Sequence, residues 1–447
     1  MISRITIAIV LLMASPAAAQ EAAPVADAPE TVTLTIEEAV ALGLQRSFRV
    51  QRSNRNEAMA EHRADSSRAG RRPRFDAGVG AGQNQSYFDF HGNAQNFNRS
   101  EPQFSADAFA SASLPIDISG VTRRQVRQAE LTHDIIELDV AQARIDVATD
   151  IRVNFVNALR AQEQVRAEIA YVEQIDDILG RARVQQPGVL PFLETELSNA
   201  RQTLQSTRTS SEIAFQNLRQ NLRLPRATVL ELTSGLPVRT QLPSIDALRE
   251  LATRHRNDLR QAAIRLDQAR IATIQASDSR RPNLRITAYA SQRLNDELPA
   301  FRDFDGRTRS AGIVITGIVP IINVDGGVVR NARRIAGIQA EQALADREEA
   351  IERAENEINQ VMISLSRAQQ RLQTLPDVEQ ALSALDRVEG LMLLAPAGDA
   401  PGYVAQITNA RQNWRSAVVS RNDSLTDFYS NFFRLQKAVG TEEITAF

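Results

Sequence analysis

The residue types that carry most enzymatic and metal-binding chemistry are scattered along this 447-residue sequence. Its four histidines, His62, His91, His133 and His255, include no pair spaced four apart and form no ligand cluster. There is no cysteine, which excludes disulfides, thiolate metal sites and a lipid on an N-terminal cysteine. No Walker loop, H-E-x-x-H or G-x-S-x-G motif occurs. We therefore expect no enzyme activity, no cofactor and no metal site.

The net charge and the single tryptophan point to no ligand either. A formal net charge of −2 offers no electrostatic grip on nucleic acid, which favours a basic face. Trp414 lies in the middle of a predicted helix, where packing in a helix core is its expected role. The function must therefore follow from the architecture of the chain.

The N-terminus has the pattern of a secretory signal. Arg4 precedes a short apolar run over 5–13, and an A-x-A cleavage site follows at 17–19. We predict a signal peptide over 1–19 and a flexible leader over 20–33. No later stretch has about 18 consecutive apolar residues, so no membrane-spanning helix is predicted in the mature chain.

Two copies of one plan make up the rest of the sequence. Three landmarks recur in the same order at a nearly constant offset: Thr35-Ile36-Glu37 with Ser244-Ile245-Asp246, Leu114-Pro115-Ile116 with Val319-Pro320-Ile321, and Asn199-Ala200-Arg201-Gln202 with Asn409-Ala410-Arg411-Gln412. We predict repeat 1 over 34–225, a linker over 226–243, repeat 2 over 244–440 and a tail over 441–447.

Each repeat is predicted to contain a helix, two strands and a long helical hairpin. Thr35 and Glu38 form a capping box at the first helix, and Pro73 and Pro282 end the first helix of each repeat. The predicted elements are helix 35–70, strands 74–82 and 104–114 and hairpin 121–223 with its tip near 186–191, then helix 244–279, strands 283–291 and 310–319 and hairpin 328–438 with its tip near 396–402.

The predicted strands alternate between apolar and polar residues. In the first strand Phe75, Ala77 and Val79 share one face, and the glycines of the run 78–82 interrupt it on the other. Strands of about ten residues cross a bilayer when tilted. Phe109 is an exception, since it stands on a polar face. The glycine run lies inside a strand and precedes no helix, so we interpret it as close packing in a barrel wall and not as a phosphate site.

The helical hairpins have coiled-coil spacing. Apolar or small residues recur at three and four through 151–182, with Gln162 as a break in the pattern. The proline-free stretch 121–185 predicts about 100 Å of helix. Four strands cannot close a barrel, and open edges cannot face lipid, so chains must pool their strands. Two chains would give eight strands, three would give twelve and four would give sixteen.

The order and spacing of these features resemble the TolC family of outer-membrane efflux and secretion channels over nearly all of the mature chain. The resemblance rests on 34–39 as the opening helix, on Arg72-Pro73 at the helix-to-strand junction, and on Pro115 with Gly120 and Pro320 with 325–327 at the strand-to-helix turns. Gly188 and Gly398 fall where the family has its hairpin-tip glycines.

The resemblance implies an α+β membrane protein in the outer membrane of a Gram-negative bacterium. Its members are homotrimers in which each duplicated chain gives four strands to a shared, lipid-embedded 12-stranded barrel and long antiparallel hairpins to a periplasmic tunnel. The tunnel would dock onto a periplasmic adaptor (membrane fusion) protein and an inner-membrane pump, which is ATP-driven (ABC) or proton-driven. The predicted adaptor-contacting tip turns are Gly188, Val189, Leu190, Gly398, Asp399 and Ala400.

One family feature is altered at the second tip. Where an acidic pair follows the tip glycine in well-known members, this chain has Val404 and Ile407, so a cation-sensitive constriction from that pair is in doubt. Glu194 keeps an acidic group at the corresponding place in repeat 1. It is a candidate tunnel residue, and an ordinary surface position is the alternative.

Three functions remain open from the sequence. One is type I secretion of a protein, or export of a polysaccharide, with an ATP-driven exporter; another is small-molecule efflux with a proton-driven pump. The missing acidic pair and missing lipid cysteine favour the first. The third is a soluble periplasmic coiled-coil adaptor or scaffold, against which the alternating strands count.

Overall fold

The computed structural model describes residues 31–85, 102–185, 187–233, 243–278, 281–295, 307–318, 326–375, 377–394 and 400–441. The predicted signal peptide, most of the predicted leader and the tip residues Gly398 and Asp399 lie outside these ranges. The elements are β1 (Thr31–Leu34), α1 (Ile36–Arg46), α2 (Phe48–Ala69), β2 (Arg74–Gln85), β3 (Pro102–Ile116), α3 (Val121–Gln185), α4 (Leu190–Leu222), β4 (Val229–Leu232), α5 (Ile245–His255), α6 (Asn257–Gln275), β5 (Asn283–Asn295), β6 (Arg307–Ile318), α7 (Val328–Gln373), α8 (Val378–Leu394) and α9 (Ala400–Val439).

The larger sheet unites the two repeats. Its strands are antiparallel in the order β2-β3-β5-β6, so that β3 of the first repeat pairs directly with β5 of the second. Among the described residues, β2 and β6 each pair on one side only. The strands run past several of their predicted ends because the ladder continues toward the loops, where Gln85 pairs with Pro102.

The register of this sheet separates an apolar face from a polar face. Four strands contribute alanines and larger apolar side chains to one face, and several of these are largely exposed, including Phe75 at 78% and Ile313 at 74%. The opposite face carries serines, threonines, glycines and charges. An exposed apolar face with an alternating polar face is the pattern of a strand wall between lipid and water.

A short parallel sheet corrects the predicted leader and linker. Residues 31–33 were expected in a flexible leader and 229–232 in a linker, yet β1 and β4 pair with each other. The Gln162 side chain of α3 completes the edge: its Nε2 donates to the Leu232 carbonyl at 3.0 Å, and its Oε1 accepts from the Leu232 N–H at 3.3 Å. This explains why a polar residue interrupts the apolar pattern of α3 at that position.

The first helix of each repeat is broken, where continuous helices were predicted. Ser47 separates α1 from α2 with φ −66° and ψ 121°, and Arg256 separates α5 from α6 with φ −70° and ψ 117°. The two breaks fall at equivalent positions of the repeats. Neither has a proline or glycine to signal it; Ser47 caps α2 by accepting from the Val50 N–H, and the Arg256 guanidinium donates to the Ala438 carbonyl at 2.8 Å.

The second hairpin is also interrupted. One continuous helix was predicted from 328 to the tip, but α7 ends at Gln373 and α8 begins at Val378. Pro376 in the sequence accounts for the interruption, because proline lacks the N–H that a helix interior requires. Asp377 supports the new start by accepting from the Glu379 N–H at 2.9 Å.

The largest core joins both repeats to the small sheet. Fully buried side chains come from α3, α4, α5, α7, α9 and β4, and this list gives the largest: Phe155, Phe428, Ile151, Leu218, Leu222, Leu232, Leu248, Ile358 and Leu365. In the described ranges, no helix combines the length and the apolar character needed to cross a membrane.

Candidate functional site: the tips of the helical hairpins

A tight turn joins the two long helices of the first hairpin. A 3-10 turn over Pro187–Val189 leads directly into α4, whose first turn contains Pro191. Proline is accepted there because the first N–H groups of a helix have no intrahelical partner. Pro401 likewise occupies the first turn of α9. The two prolines therefore lie where the return helices begin.

The tip regions of the two hairpins share one apolar cluster. Its fully or nearly fully buried members are Ile178, Leu179 and Ala182 of α3, Val189 of the turn, Leu193 of α4, Leu385 and Met392 of α8, and Ile407 of α9. Contact between α3, α4, α8 and α9 here means that the first tip cannot move away from the second without exposing this cluster.

The predicted tip residues differ in what they offer a partner. Gly188 is exposed, and a Cβ built on it would meet no atom within 4 Å. Val189 is only 2% exposed, so its side chain faces the tip cluster and leaves Gly188 and the half-buried Leu190 at the surface. Ala400 begins α9. Glu194 is exposed on α4.

The two positions that replace the family's acidic pair are apolar packing positions. Ile407 is fully buried in the tip cluster, and Val404 is half-buried against it. A carboxylate at either place would lie against apolar side chains. At the two positions where the family resemblance suggested a cation-sensitive constriction, the described part of the tip therefore has apolar packing.

Next to the tip cluster lies a buried ion pair that sequence reasoning missed. Arg411 of α9 donates from Nη2 to Oε1 of Glu389 on α8 at 3.3 Å, and the two side chains are 2% and 7% exposed. Gln174 of α3 donates to the other Glu389 oxygen at 3.0 Å and to Asp386 at 3.2 Å. Burial raises the pKa of the Glu389 carboxyl, and the nearby Arg411 only partly opposes this.

Two aromatic rings pack beside this buried ion pair. Tyr171 and Trp414 stack with centroids 5.8 Å apart, and the Arg411 guanidinium carbon lies 5.7 Å from the Tyr171 ring centre. The Tyr171 hydroxyl donates to Glu196 at 2.8 Å, and burial raises its pKa. Trp414 is thus 7% exposed in a helix core, the packing role that the sequence predicted.

The two repeats have diverged at this level. Arg201 occupies the position in repeat 1 that Arg411 occupies in repeat 2, and it lies 3.7 Å from Asp176 with both side chains 62% exposed. In contrast, Nε and Nη1 of Arg411 are buried and have no hydrogen-bond partner within the described ranges. An alignment of the two repeats could have drawn attention to this pair, because it places the charged Glu389 of repeat 2 at the position of the apolar Leu179 of repeat 1.

One group of potential metal ligands was also missed. His133, Asp134 and Glu137 of α3 place ligand atoms within 4.8 Å of one another, the one such group among the described residues. The sequence predicted no metal site because its histidines form no closely spaced pair, and this prediction did not consider one histidine beside two carboxylates. Two of these side chains are half-buried and Glu137 is exposed, and such groups are common on helices that bind no ion.

We predict that Arg411→Met lowers the free energy of unfolding by about 3 kcal/mol, because it leaves the Glu389 carboxyl buried without a cation. Arg201→Met is the matched control in the other repeat, and loss of its exposed pair should cost less than about 1 kcal/mol. Chemical unfolding followed by the fluorescence of Trp414 measures both. Equal losses in the two variants would contradict a special role for the buried pair.

Comparison with known sequences agrees with this architecture. The model of the family described as "Outer membrane efflux protein" matches residues 40–224. The cobalt-zinc-cadmium resistance protein CzcC of Cupriavidus metallidurans is 25% identical over 296 residues. That alignment covers 62% of this chain and 65% of the relative, so the chain spans less than two thirds of the length of the relative it matches.

Solved outer-membrane proteins share the fold along most of the chain. The outer membrane protein VceC of Vibrio cholerae is 16% identical with a TM-score of 0.67, over 91% of this chain and 96% of its own. The open state of the MtrE outer membrane channel of Neisseria gonorrhoeae is 15% identical with a TM-score of 0.70, over 91% of this chain and 89% of its own. The predicted α+β fold class is confirmed. Residues 40–224 of the chain thus match the family of outer membrane efflux proteins, and the chain along most of its length has the fold of solved outer-membrane channels.

Proposed function

We propose that three copies of this chain form the outer-membrane exit channel of a tripartite export system. The channel gives passive passage from a periplasmic adaptor and an inner-membrane pump to the outside, and the pump supplies the energy. The observation that carries the proposal is the four-stranded sheet, with one apolar face, one polar face and an unpaired edge on each side among the described residues. No catalytic step is assigned to the chain.

The free edges favour closure by further copies. Backbone groups that face lipid must all be hydrogen-bonded, because an unpaired one costs several kcal/mol there. The alternation of strand direction makes β6 antiparallel to β2, so β6 of one copy can pair with β2 of the next in the same way as the strands within a copy. Three copies then give twelve strands, a number compatible with a closed outer-membrane barrel.

The helices supply a second reason for assembly. Helix α7 exposes apolar side chains that no described residue of the chain covers; the largest exposures belong to Val328, Ile335, Ile338 and Ile363, at 50% or more. Contact with neighbouring copies would bury them. Helix α3, with 65 residues, is roughly 100 Å long, which suits a tunnel that reaches far from the membrane.

We propose two alternative classes of cargo. The chain's similarity to a protein named for cobalt, zinc and cadmium resistance favours small solutes, including divalent cations, as the first class. Type I secretion of a protein is the second, because the apolar Val404 and Ile407 leave no acidic cation filter at these positions. The third possibility raised from sequence, a soluble adaptor or scaffold, is not favoured, since the apolar sheet face would then be exposed to water.

The export test compares a deletion strain with its parent in two measurements. If small solutes are the cargo, deletion should increase sensitivity to cobalt, zinc or cadmium salts and leave the proteins of the culture supernatant unchanged. If a protein is the cargo, one supernatant protein should disappear. No change in metal sensitivity, drug sensitivity or supernatant proteins would overturn the exit-channel proposal.

We expect charge to distinguish the two faces of β6. Ile313 and Val314 are neighbours on opposite faces, at 74% and 44% exposure. Ile313→Arg should weaken membrane insertion by about 2–4 kcal/mol, because it sets a charge against lipid, whereas Val314→Arg faces water and should insert normally. Carbonate extraction of membranes measures insertion, and light scattering of the purified protein should give the mass of three chains. A monomeric mass, or equal behaviour of the two variants, would contradict the shared barrel.

The tip assignment predicts loss of export without loss of assembly. Gly188→Asp adds a charge at an exposed turn where the side chain has room, so the trimer should form and docking of the adaptor should fail. Gly337→Asp in α7, where an added Cβ also meets no atom within 4 Å, is the control remote from the tip. Normal export by the Gly188 variant would show that the partner docks elsewhere.

A further inference from the structure

The two outer helices of the chain each carry a stripe of exposed apolar side chains. Below the sheet, α2 packs on α3, α3 on α6 and α6 on α7, so these helices form a row in the same order as the strands that they adjoin. The row ends at α2 on one side, where Phe48 is 61% and Met59 is 50% exposed. It ends at α7 on the other, where the exposed side chains are Val328, Ile335 and Ile338, each at 56% or more. Both ends therefore present apolar surface that a further helix could bury.

The contact between α3 and α6 shows how two helices of this row meet inside one chain. The buried Gln261 of α6 donates from Nε2 to Oδ1 of Asp139 at 2.6 Å and to the Ile135 carbonyl at 3.2 Å. Two turns further along α6, Gln268 donates to the Thr132 hydroxyl at 3.0 Å. This contact joins the first repeat to the second.

The duplication gives the α6 side of this contact an equivalent at one end of the row. The helix breaks at 47 and 256 are 209 residues apart, and they relate α2 to α6. By this offset Arg52 of α2 corresponds to Gln261, and Met59 corresponds to Gln268. The side of α2 that holds the exposed stripe is therefore the side that α6 turns toward α3.

The α3 side of the contact has its equivalent at the other end of the row. An offset of 207 relates the buried residues of the two helices, Ala143, Val147, Ile151, Phe155 and Ala158 in α3 and Ala350, Ala354, Ile358, Met362 and Leu365 in α7. By this offset Asp139, the acceptor of the Gln261 hydrogen bond, corresponds to Asp346. Leu131 is 3% exposed in α3, which has a helix of the row on both sides, whereas the equivalent Ile338 of α7 is 56% exposed. The same position is thus covered inside the row and exposed where the row ends.

Charge makes the two ends of the row complementary. Arg52 and Asp346 are exposed, and neither takes part in an ion pair among the described residues. Asp346 follows Val328 by about five helical turns, so both point to the same side of α7. Arg52 lies about one turn after Phe48 and two turns before Met59, in the stripe of α2. A cation on one end and a carboxylate on the other fit a second copy of the same chain.

We propose that α7 of one copy packs on α2 of the next with the geometry of the α3–α6 contact, and that Arg52 of each copy pairs with Asp346 of its neighbour. This contact rests on the proposed function, in which β6 of one copy pairs with β2 of the next above the same seam. A neutral glutamine then serves the contact inside a chain, and an arginine serves the contact between chains. The pair fixes the register in which the subunits join at three equivalent seams.

A cross-link between two introduced cysteines tests the contact directly, because the chain has no cysteine of its own. The double variant Arg52→Cys and Asp346→Cys, oxidised in isolated outer membranes, should give covalent products of two and three chains on a non-reducing gel. Within one chain the two positions lie three helices apart, roughly 25–30 Å, which is far beyond the span of a disulfide. Any such product must therefore join different chains.

Two further cysteine pairs are the controls. Arg52→Cys with Glu348→Cys should give no product, because Glu348 is exposed but points about 200° away from Asp346 around α7. Asp139→Cys with Gln261→Cys should close a disulfide inside the chain, since these side chains already touch, and should consume thiols without joining chains.

A charge swap gives a second readout. Arg52→Asp or Asp346→Arg alone should lower the temperature at which the detergent-solubilised trimer separates into monomers, because each sets like charges together at three seams. The combined variant should restore that temperature, and the differences should shrink at high salt. A wild-type trimer whose Arg52 and Asp346 cysteine variant gives no cross-link, an equal product from the Glu348 pair, or a swap without restoration would overturn the contact. A wild-type protein that is monomeric by light scattering would instead count against the exit channel itself.

Discussion

In the proposed channel, the constraint on which the structure depends is that no backbone hydrogen-bonding group can remain unpaired in lipid. One chain supplies four amphipathic strands, and among the described residues the sheet ends at β2 on one side and at β6 on the other. Pairing β3 with β5 makes the two repeats into one continuous wall, so that a chain has two edges where separate hairpins would have four. In that proposal the barrel has to be formed by several chains, since four strands cannot close one.

Below the sheet, the duplication allows the hairpins to stabilise each other at successive levels. A large core near β1 and β4 joins α1, α3, α5, α7 and α9; the stacked Tyr171 and Trp414 mark a middle level, and the apolar cluster around Val189 and Ile407 forms the last. The two repeats differ at this middle level. Repeat 2 has a buried Arg411–Glu389 pair, whereas the equivalent arginine of repeat 1 forms an exposed pair, Arg201–Asp176. A buried pair contributes little net stability but is costly to break, so it restricts which helix positions can meet there.

Local periodicity explains what the sequence could predict. Alternation revealed β2, β3, β5 and β6 because each has one face against a different environment, and proline marked the ends of helices at Pro73 and Pro282. The β1–β4 pairing could not be found in this way, since its two strands are about 200 residues apart and an alternation over only four residues does not indicate a pairing partner. The breaks at Ser47 and Arg256 were missed for another reason: their stabilising contacts, such as the bond from Arg256 to Ala438, come from tertiary structure.

The candidate sites likewise combine features that the sequence shows with features that only the tertiary structure shows. Glycines at the tip were visible as turn residues, but burial of Val189 depends on α8 and α9, which approach from the other repeat. Phe109 was visible only as an exception to a pattern, and its meaning requires the register that sets it over Gly78. Exceptions of this kind are informative because each of them breaks a rule that the rest of the strand obeys. Because Val404 and Ile407 are apolar, these tip positions supply no acidic group, whereas Asp76 and Asp107 lie on the polar face of the sheet together with Arg74 and Arg293. Discrimination by charge in the proposed channel would therefore involve groups of the barrel wall, near the exit.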